Sequence, residues 1–408
     1  MPAQSNSLPG VAGYLTAGIP ETGGTIKESP EDFVVTELPA YEPCGEGEHV
    51  YLTIEKRGMT TLEAIRRVAR ELRTPERDIG YAGMKDSVGI TRQMISLQRI
   101  RPEDVVGRDL NGVRVIAAAR HGNKLRLGHL KGNRFRIAVR DVIASAAETA
   151  PAVIALLEER GVPNRFGFQR YGAQGNSHLI GKAMLRRDWQ AAVECLLGEP
   201  QAVRDADWRA AIEAYRQGDL AGALRLMPRH CQGERDILRR LATRPQEWEK
   251  AFAVVHPRLK KLYLSACQSS LFDRVVERRL SGIDQVVAGD LAWKHDNGAC
   301  FLVDDASREA PRAARFEISA TGPLFGTRMK WPAGDILADE QQLLAEEGLS
   351  PEVFDLGKGL VMEGERRPLR VPLGEPRCSV ESGTMLLEFS LPKGSYATSV
   401  IREITKAF

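Results

Sequence analysis

The sequence predicts an α+β fold, and three observations support this prediction. Near the N-terminus, strand-like segments lie on both sides of one amphipathic helical segment. From about Ser177 to Leu264 the apolar residues have mostly helical spacing. The last 25 residues return to strand-like alternation followed by a helix. Such an arrangement is typical of α+β proteins, and 408 residues leave room for two or three domains.

The first elements follow from apolar alternation and from a capping pattern. A short strand is predicted around Phe33–Val35, and a second strand at His49–Lys56 follows a glycine-containing turn. Thr60–Glu63 has the Thr-x-x-Glu spacing of a capping box, which predicts a helix beginning there. The apolar face of this helix is formed by Leu62, Ile65, Val68, Ala69 and Leu72.

The stretch Tyr81–Leu97 holds one carboxylate, Asp86, beside Lys85 and between two glycines. After the second glycine, Gly89, the residues alternate as they do in a strand. The pattern predicts a tight loop that feeds a strand, where a rigid scaffold can hold an acid at the mouth of a cleft. The alternative is a surface turn with a solvated Lys–Asp pair, because an isolated G-x-K-D motif is weak by itself.

A basic segment follows this stretch. Between Asp109 and Asp141 the chain has no acidic residue, although the net charge of the whole chain is only +3. Clustered cations can contact phosphates, and the ring within Lys131–Arg136 can stack on an unpaired base, so the segment favours RNA or DNA binding. The alternative is the solvated face of a strand. The cations are Arg114, Arg120, Lys124, Arg126, Lys131, Arg134, Arg136 and Arg140.

The rest of the chain supplies further predicted elements around an unusual loop. Gly161–Asn176 lacks acids and is rich in glycine, asparagine and aromatic residues, which favours a functional loop or an entry to another domain. Asp335–Asp355 carries seven acids and no Lys or Arg, which predicts an acidic helix that faces away from RNA. The other predictions are helices at Ala147–Arg160 and Ser265–Leu280, strands at Gln285–Leu291, Cys300–Val303 and Thr384–Leu391, and a turn opening a helix at Pro392–Ile404.

Several classes of site are not expected. The six cysteines and seven histidines are scattered, without zinc-site spacing or an H-E-x-x-H motif, so no metal is expected. Gly175–Lys182 resembles a phosphate loop but has one residue too many, and Ala183 stands where Ser or Thr should follow, so no nucleotide cofactor is expected. No run is apolar enough for a membrane span and no signal-peptide pattern occurs, which predicts a cytoplasmic protein with free thiols.

Five motifs together carry a resemblance to a known family. They are Pro30–Glu37 (PEDFVVTE), Gly83–Asp86 (GMKD), Lys131–Phe135 (KGNRF), Pro163–Gly167 with Gln169–Gly172 (PNRFG, QRYG), and Leu391–Val400 (LPKGSYATSV). In this order they resemble the TruD family of tRNA pseudouridine synthases. The resemblance covers the catalytic portions at both ends of the chain and is looser in the middle.

The resemblance implies a fold and a domain order. The family has an α+β pseudouridine-synthase core with a mixed, mainly antiparallel sheet. A second α/β domain, the TRUD domain, is inserted into that core and leaves a V-shaped cleft for RNA. On this basis we expect the N-terminal part of the core at residues 1–164, the inserted domain at 165–366, and the C-terminal part of the core at 367–408.

The resemblance also implies an isomerase, with uridine 13 in the D-arm of tRNA as its target. The reaction breaks the N1–C1′ bond of the uridine, turns the base, and joins C5 to C1′. Nothing is oxidised and no group enters or leaves, so neither a cofactor nor a metal is required. One ionised carboxylate suffices, as nucleophile or as base, and the motif assigns that role to Asp86.

The family pattern gives further site residues. A flipped uridine needs ring surfaces and amide donors, which the pattern assigns to the substrate-binding residues Phe33, Asn133, Phe135 and Tyr396. Tyr396 is a departure from a member of the family that has phenylalanine at this position, and its added hydroxyl group could form a hydrogen bond. Lys85 and Lys27 are expected partners of Asp86 or of a phosphate. The expected contacts to the RNA backbone are Arg126, Lys131, Arg134, Arg136, Arg165 and Arg170.

Other interpretations of these residues remain open. From pattern alone Phe33 and Phe135 are typical of strand cores, Asn133 of a turn, and Tyr396 of a packed helix start. The alternative functions are a non-catalytic RNA-binding or RNA-folding module, in which Asp86 is a turn residue, and the same chemistry on another RNA site. Because the sequence has no coiled-coil heptads and no long exposed apolar stripe, we expect a monomer.

Overall fold

The computed structural model describes residues 13–85, 88–357 and 359–407. The chain divides into two compact units. One consists of Tyr14–Val162 and Val371–Phe408, and we call it the core unit. The other consists of Pro163–Arg370 with the segment up to Gly13, and we call it the middle unit.

The first part of the core unit is mostly strand. Its strands are β1 (Thr25–Ile26), β2 (Phe33–Pro39), β3 (His49–Arg57), β4 (Gly80–Tyr81), β5 (Ile90–Gln98), β6 (Val113–His121) and β7 (Leu130–Arg140), and its helices are α1 (Thr61–Glu71) and α2 (Ala146–Arg160). The strands predicted around Phe33 and at His49–Lys56 are confirmed. Helix α1 begins as predicted, because Thr60 Oγ1 accepts a hydrogen bond from Glu63 N at 3.2 Å.

The middle of the chain is mainly helical. After the short strand β8 (Val162–Pro163) come α3 (Ser177–Leu185), α4 (Trp189–Leu197), α5 (Ala206–Arg216), α6 (Leu220–Leu226), α7 (Gln232–Thr243), α8 (Trp248–Phe252), α9 (Pro257–Arg278), β9 (Leu291–Lys294), β10 (Cys300–Leu302), α10 (Ala306–Ala314), β11 (Ile318–Leu324), α11 (Gly334–Glu346) and β12 (Glu365–Pro368). The chain ends with β13 (Arg370–Val371), β14 (Gly374–Glu381), β15 (Thr384–Pro392) and α12 (Ala397–Thr405). Short 3-10 helices lie at Pro30–Asp32, Glu76–Asp78, Pro102–Asp104, Phe168–Tyr171, Pro200–Ala202, Leu280–Gly282 and Pro351–Phe354.

The core unit is built on one large mixed sheet. Its strand order is β14-β15-β7-β2-β5-β3-β6, with β1 added to β7 and β4 added to β5. Every pairing is antiparallel except that between β2 and β5. The predicted α+β class with a mixed, mainly antiparallel sheet is therefore confirmed.

The parallel pair determines where the Asp86 loop enters the sheet. Val34 of β2 lies opposite Ile90, the first residue of β5, so the loop before Ile90 ends beside the start of β2. Gly89 has φ +123°, and a Cβ atom there would lie 2.3 Å from the carbonyl oxygen of Phe33. Only glycine permits this close approach, so the sequence of the turn follows from the strand pairing.

Two predictions about the middle unit are wrong in part. The predicted strand Gln285–Leu291 is a turn, and β9 begins only at Leu291. Gly289 has φ +92°, and the Asp290 carboxylate accepts a hydrogen bond from Val287 N, which bends the chain before the strand. The predicted acidic helix Asp335–Asp355 ends at Glu346, because Gly348 has φ +60°. Its remainder is a loop with one 3-10 turn.

The sheet of the middle unit is separate from that of the core unit. Its strand order is β10-β9-β11-β12, and all three pairings are antiparallel. The short strands β8 and β13 pair with each other. In the part of the chain that the structure describes, no helix has both the length and the apolar surface needed to cross a bilayer.

Candidate active site

The residue on which the functional prediction depends, Asp86, lies outside the described residues. The residues on both sides of it are described, and they show how its loop is held. Lys85 precedes it, and Gly89 leads directly into β5. The site can therefore be built from the contacts of the residue before Asp86 and from the strands that surround this loop.

Lys85 is held by two side chains from neighbouring strands. Its Nζ lies 2.9 Å from Glu37 Oε2 and donates a hydrogen bond of 2.7 Å to Asn133 Oδ1. Only 5% of the Lys85 side chain and 2% of the Glu37 side chain are exposed. The other carboxylate oxygen of Glu37 accepts from Met94 N at 3.1 Å. The ammonium group of the residue before Asp86 is therefore buried and ion-paired rather than solvated.

The backbone of Lys85 is also fixed. Its N–H donates to Thr61 Oγ1 at 2.9 Å, and the Thr61 hydroxyl donates to Gln93 Oε1 at 2.9 Å. The Gln93 amide in turn donates to the Gly83 carbonyl at 3.4 Å. Thr61 and Gln93 are both buried, so water does not compete for these bonds. The segment from Gly83 to Lys85 is thus tied to α1 and to β5.

Asn133 lies in a strand, not in the turn that its Gly-Asn context suggests. It faces Glu37 of β2 on one side and Leu391 of β15 on the other. The preceding Gly132 is required by the sheet, since a Cβ there would lie 2.2 Å from the Leu391 carbonyl oxygen. Because Oδ1 of Asn133 accepts from Lys85, its NH2 group is left to donate elsewhere.

Two of the predicted aromatic residues meet on the same face of the sheet. The ring centroids of Phe33 and Phe135 are 6.3 Å apart in an edge-on arrangement, and Phe389 lies 5.4 Å beyond Phe135. Lys27 places its Nζ 4.3 Å from the centre of the Phe33 ring. Both rings are buried, at 4% and 6% exposure, which suits core residues as well as the wall of a closed pocket.

Tyr396 stands at the N-cap of α12 and is half-buried. It follows Leu391, the strand partner of Asn133, by five residues. The intervening turn contains Gly394 with φ +80°. This segment therefore leaves the sheet at the end where Asn133 and Glu37 lie.

A second carboxylate of the PEDFVVTE motif has a structural role. Asp32 is buried and receives two hydrogen bonds from the Arg140 guanidinium, of 3.0 Å and 2.6 Å. These bonds hold the pKa of Asp32 below its usual value, in spite of burial, which acts in the opposite direction. One of the eight cations of the basic segment, Arg140, is therefore engaged inside the core unit.

The predicted RNA-backbone cations fall into two groups. Four are exposed in the core unit, and two of these have acidic neighbours, Glu375 at 2.5 Å from Arg134 and Glu388 at 3.6 Å from Arg136. The exposed cations are Arg126, Lys131, Arg134 and Arg136. Three of them, Lys131, Arg134 and Arg136, lie on β7, the strand that carries Asn133. Arg134 and Arg136 alternate with Asn133 and Phe135 along this strand, so their side chains face the other side of the sheet.

The other two cations, Arg165 and Arg170, lie in the middle unit. Arg165 is 1% exposed, and its Nη2 lies 2.5 Å from Glu277 Oε2. A buried, ion-paired guanidinium is not accessible to a phosphate. Arg170 is half-buried and donates to the hydroxyl groups of Ser269, at 3.0 Å, and Ser265.

Sequence reasoning missed three polar residues of the site region: Glu37, Thr61 and Lys56. Glu37 follows Phe33 and Val35 with strand period, so it stands at an inward position, where a carboxylate needs a cation. Lys56 likewise ends the inward row of β3 and is 1% exposed, with Nζ donating to Thr91 Oγ1 at 2.8 Å. The sequence signal that could have identified Glu37 and Lys56 is a charged residue at an inward-facing position of a strand.

The described residues of the site region combine charged, polar and aromatic groups. Among the residues that the structure describes, no group of His, Cys, Asp and Glu could hold a metal ion. The described groups instead supply a buried ammonium, an amide donor and two rings beside one loop. Such an environment is suited to ionised-carboxylate chemistry on an unstacked base.

Comparison with known proteins gives consistent results. The sequence model of the family tRNA pseudouridine synthase D (TruD) matches residues 10–404. The tRNA pseudouridine synthase D of Geobacter metallireducens is 64% identical over 393 residues, which are 96% of this chain and 97% of the relative. A tRNA pseudouridine synthase D of Thermus thermophilus is 39% identical over 397 residues, which are 96% and 92% of the two chains.

A solved structure has the same fold. A crystal structure assigned to tRNA pseudouridine synthase D (TruD) of Methanosarcina mazei matches with a TM-score of 0.83. It is 27% identical in sequence, and the match covers 100% of this chain and 99% of the other.

Proposed function

The chain belongs to the TruD family of tRNA pseudouridine synthases, and on that premise we propose that it converts uridine 13 of the tRNA D-arm to pseudouridine with Asp86 as the reacting carboxylate. Membership of this family implies an isomerase that acts on tRNA. The finer statements, namely the uridine, the carboxylate and the residues around it, are the proposal.

The proposed reaction needs no group from outside the substrate. The N1–C1′ bond breaks, the uracil turns within the site, and C5 bonds to C1′. The proton that leaves C5 is balanced by the proton that N1 gains. Asp86 acts at the ribose or at the base, and its carboxylate is regenerated at the end.

The observation that supports this role most directly is the state of Lys85. Its ammonium group is engaged by Glu37 and Asn133, and its amide by Thr61, so the chain immediately before Asp86 has little freedom. A reacting group held near its productive geometry gains rate because less orientational entropy is lost in the transition state. A solvated surface turn would not need three such partners, two of them buried.

The rings and the amide are assigned to the flipped uridine. In the proposal Phe33 and Phe135 contact the base, Tyr396 closes the pocket, and the NH2 group of Asn133 donates to the base or to Asp86. Lys27, over the Phe33 ring, is assigned to a phosphate or to Asp86. Removing a base from its stack costs a few kcal/mol, which ring contacts in the pocket offset.

The proposal extends to the rest of the molecule. The middle unit corresponds to the inserted domain of the family, and the core unit to its catalytic domain. Arg126, Lys131, Arg134 and Arg136 are assigned to the RNA backbone. We assign the enzyme to the cytoplasm, where tRNA is modified, and take the active form to be a monomer.

The decisive experiment compares wild type with Asp86→Asn on unmodified tRNA, with pseudouridine mapped at single-nucleotide resolution. We expect product at uridine 13 with wild type and none with the variant, while the Kd for tRNA stays within about threefold because few contacts are lost. A parallel loss of binding would argue against the catalytic role. If wild type modifies no cellular RNA, the chain is an RNA-binding module instead.

The position of the modification is tested in cells. Transfer RNA from cells that lack the protein should have uridine at position 13 where control cells have pseudouridine. Loss of pseudouridine at a different position would keep the chemistry and change the substrate. Re-expression of wild type, but not of Asp86→Asn, should restore the modification.

A further inference from the structure

The core unit has a second basic feature, at the end of its sheet away from the Asp86 loop. Strand β5 begins after that loop at Ile90 and ends at Gln98. Just beyond its end, the surface forms a concavity of about 650 Å³. Five arginines line it: Arg73, Arg99, Arg101, Arg108 and Arg120.

These arginines come from separate elements that the sheet brings together. Arg73 follows the end of α1, Arg99 follows β5, and Arg120 is near the end of β6. The ends of β5 and β6 meet because His49 of β3 pairs with Gln98 on one side and with His121 on the other. The convergence of guanidinium groups is therefore a consequence of the strand register.

The carboxylates of the concavity do not neutralise it. Three acids line it, Glu48, Glu71 and Asp104, against five arginines, which leaves two positive charges in excess. Asp104 is taken by Arg101, with N–O distances of 2.8 Å and 3.0 Å. Like charges brought together in this way repel each other unless an anion lies between them.

Two of the five guanidinium groups, those of Arg73 and Arg99, are available to bind a ligand, whereas the other three form hydrogen bonds within the protein. Arg108 donates to the Asp104 carbonyl at 3.4 Å, and Arg120 donates to the Gly47 carbonyl at 3.2 Å. Within the described ranges, the side chains of Arg73 and Arg99 have no hydrogen-bond or ion-pair partner. Arg73 also occupies the position after the α1 cap with φ +51°, where glycine is the favoured residue. These two side chains are the ones free to bind a ligand.

A basic path joins this concavity to the Asp86 loop. Leu125 N donates to Ser96 Oγ near the end of β5, at 2.9 Å. Three residues later, Gly128 N donates to the Ala82 carbonyl at 2.8 Å, close to the loop. The segment between and beyond these anchors carries cations and no acid: Lys124, Arg126 and Lys131.

We propose that the arginine concavity binds a phosphodiester of the same RNA whose uridine occupies the Asp86 loop. This inference rests on the proposed function. The eight-residue rise along β5 separates its Ile90 end from the end at the concavity by about 26 Å, a distance that a folded RNA spans and a nucleotide does not. The planar fork of arginine matches the phosphate oxygens, and the path of cations follows the backbone between the two sites.

The test uses the double variant Arg73→Ala/Arg99→Ala of the full chain with two RNAs. One is full-length tRNA, and the other is a short stem-loop that carries only the target uridine and its nearest neighbours. For full-length tRNA we expect the Kd to rise about tenfold and the slope of log K against log salt to fall by about 1 to 2. For the stem-loop we expect an unchanged Kd, and kcat is unchanged with both RNAs.

A matched control removes two arginines outside the concavity. Arg66 and Arg77 are 59% and 88% exposed and lie on and just after α1. The variant Arg66→Ala/Arg77→Ala has the same change of net charge. If the control weakens tRNA binding as much as Arg73→Ala/Arg99→Ala does, the effect is one of overall charge and the proposed site is wrong.

Further outcomes separate this inference from the proposed function. An unchanged Kd and salt slope for full-length tRNA would overturn the inference, and an acidic protein segment would become the better candidate ligand. Binding of inorganic phosphate alone to wild type but not to the double variant, with tRNA binding unaffected, would identify a small-anion site and also overturn it. Absence of pseudouridine with wild type would contradict only the proposed function, because the binding measurements do not depend on turnover.

Discussion

Lys85 and Glu37 form an ion pair in the interior of the core unit, with Nζ 2.9 Å from Oε2. The pair joins the loop that carries Asp86 to β2, and the contact of Lys85 with Asn133 Oδ1 extends it to β7. A carboxylate that is 2% exposed must be paired, since an unpaired buried charge is costly. The pair therefore couples the position of the loop that carries Asp86 to the integrity of the sheet.

Replacing Glu37 by glutamine should affect both stability and rate. Glu37→Gln leaves the Lys85 charge buried without a counter-charge, so we expect the core unit to lose about 3 to 5 kcal/mol of unfolding free energy. Because the Lys85 ammonium loses the charge of one of its two described partners and is held less firmly, kcat should fall at least about tenfold with a smaller change in KM. Hydrogen exchange of the β7 amides measures the first effect, and single-turnover pseudouridine formation measures the second.

Two further variants show whether the pair positions the loop. Glu37→Gln/Lys85→Met removes both charges and should recover most of the stability without recovering the rate. Glu55→Gln breaks the Glu55–Arg92 pair on the neighbouring strands, which has a similar distance of 2.8 Å but side chains 27% and 47% exposed. It should cost less than about 1 kcal/mol and leave the rate unchanged. A Glu37→Gln enzyme that turns over at the wild-type rate would show that the pair is only structural.

The ring of Tyr396, rather than its hydroxyl group, should be what the reaction needs. Tyr396→Phe should keep kcat/KM within about twofold. Tyr396→Ala should lower it about 5- to 150-fold, which corresponds to the 1 to 3 kcal/mol of a base stacked on a ring. As a control, Tyr14→Ala removes a ring packed on Arg402 at the other end of α12, and should lower stability without this loss of kcat/KM. Equal activity of the Phe and Ala variants would remove Tyr396 from the pocket.

The local elements around the site could be predicted because their signals are local. The alternation around Phe33 and from Ile90, and the Thr60 cap of α1, each lie within a few residues and appear in the structure as predicted. The strand expected at Gln285–Leu291 failed for an equally local reason. An aspartate side chain at Asp290 and a positive φ at Gly289 override apolar spacing, which sequence periodicity does not register.

The contacts that define the site could not be predicted from spacing. Glu37 and Lys85 are 48 residues apart in the sequence, and so are Lys85 and Asn133. They meet because β2, which contains Glu37, pairs both with β5, which follows the loop of Lys85, and with β7, which contains Asn133. Residue patterns do not encode strand order, so neither this contact nor the return of β15 to β7 follows from them. The family resemblance supplied the proposed site residues, and the register of the sheet explains why Glu37 lies near Lys85 and Asn133.

Two buried groups of the middle unit should respond to pH in opposite directions. Burial raises the pKa of Asp273 to about 6, although the Tyr171 hydroxyl at 2.6 Å and Phe166 N at 2.9 Å donate to it, and Arg165 and Arg367 lower it further. Burial lowers the pKa of His178 to about 4, and the positive charge of Lys182 contributes to this decrease. His178 packs edge-on against Tyr171, with ring centroids 5.1 Å apart.

The direction in which each group changes stability with pH depends on whether the folded or the unfolded state binds its proton more tightly. Between pH 4 and 6 the folded state holds the Asp273 proton and the unfolded state does not, so stability from this group is lost as pH rises. For His178 the unfolded state binds the proton more tightly, so stability is lost as pH falls from 6.5 to 4. Each effect reaches about 3 kcal/mol at most, so the two nearly cancel in wild type.

Single variants should therefore reveal opposite slopes. All five tryptophans lie between Trp189 and Trp331, so tryptophan fluorescence in urea reports the unfolding of the middle unit. The unfolding free energy of wild type minus that of Asp273→Asn should fall as pH rises from 4.5 to 6.5. The unfolding free energy of wild type minus that of His178→Gln should rise over the same range. The exposed control Asp296→Asn should give a flat difference, and flat differences for all three variants would contradict the pKa assignments.

Replacing a buried arginine should affect stability, whereas replacing an exposed arginine should affect RNA binding. Arg165 donates to the carbonyls of Asp273 and Gly13 and pairs with Glu277, so Arg165→Ala should cost the middle unit about 3 to 5 kcal/mol and leave the salt dependence of tRNA binding unchanged. Arg126 is exposed in the core unit. Arg126→Ala should change stability by less than about 0.5 kcal/mol and lower the slope of log K against log salt by about 1.

This contrast tests whether exposure in the folded protein decides which cations contact RNA. Lys131→Ala should behave as Arg126→Ala does, because its side chain is also exposed, on the strand that carries Asn133. The salt slopes are compared at a temperature at which every variant is folded, as judged by tryptophan fluorescence and circular dichroism. A reduced slope for Arg165→Ala under those conditions would mean that the Arg165–Glu277 pair opens when tRNA binds and that the guanidinium then meets a phosphate.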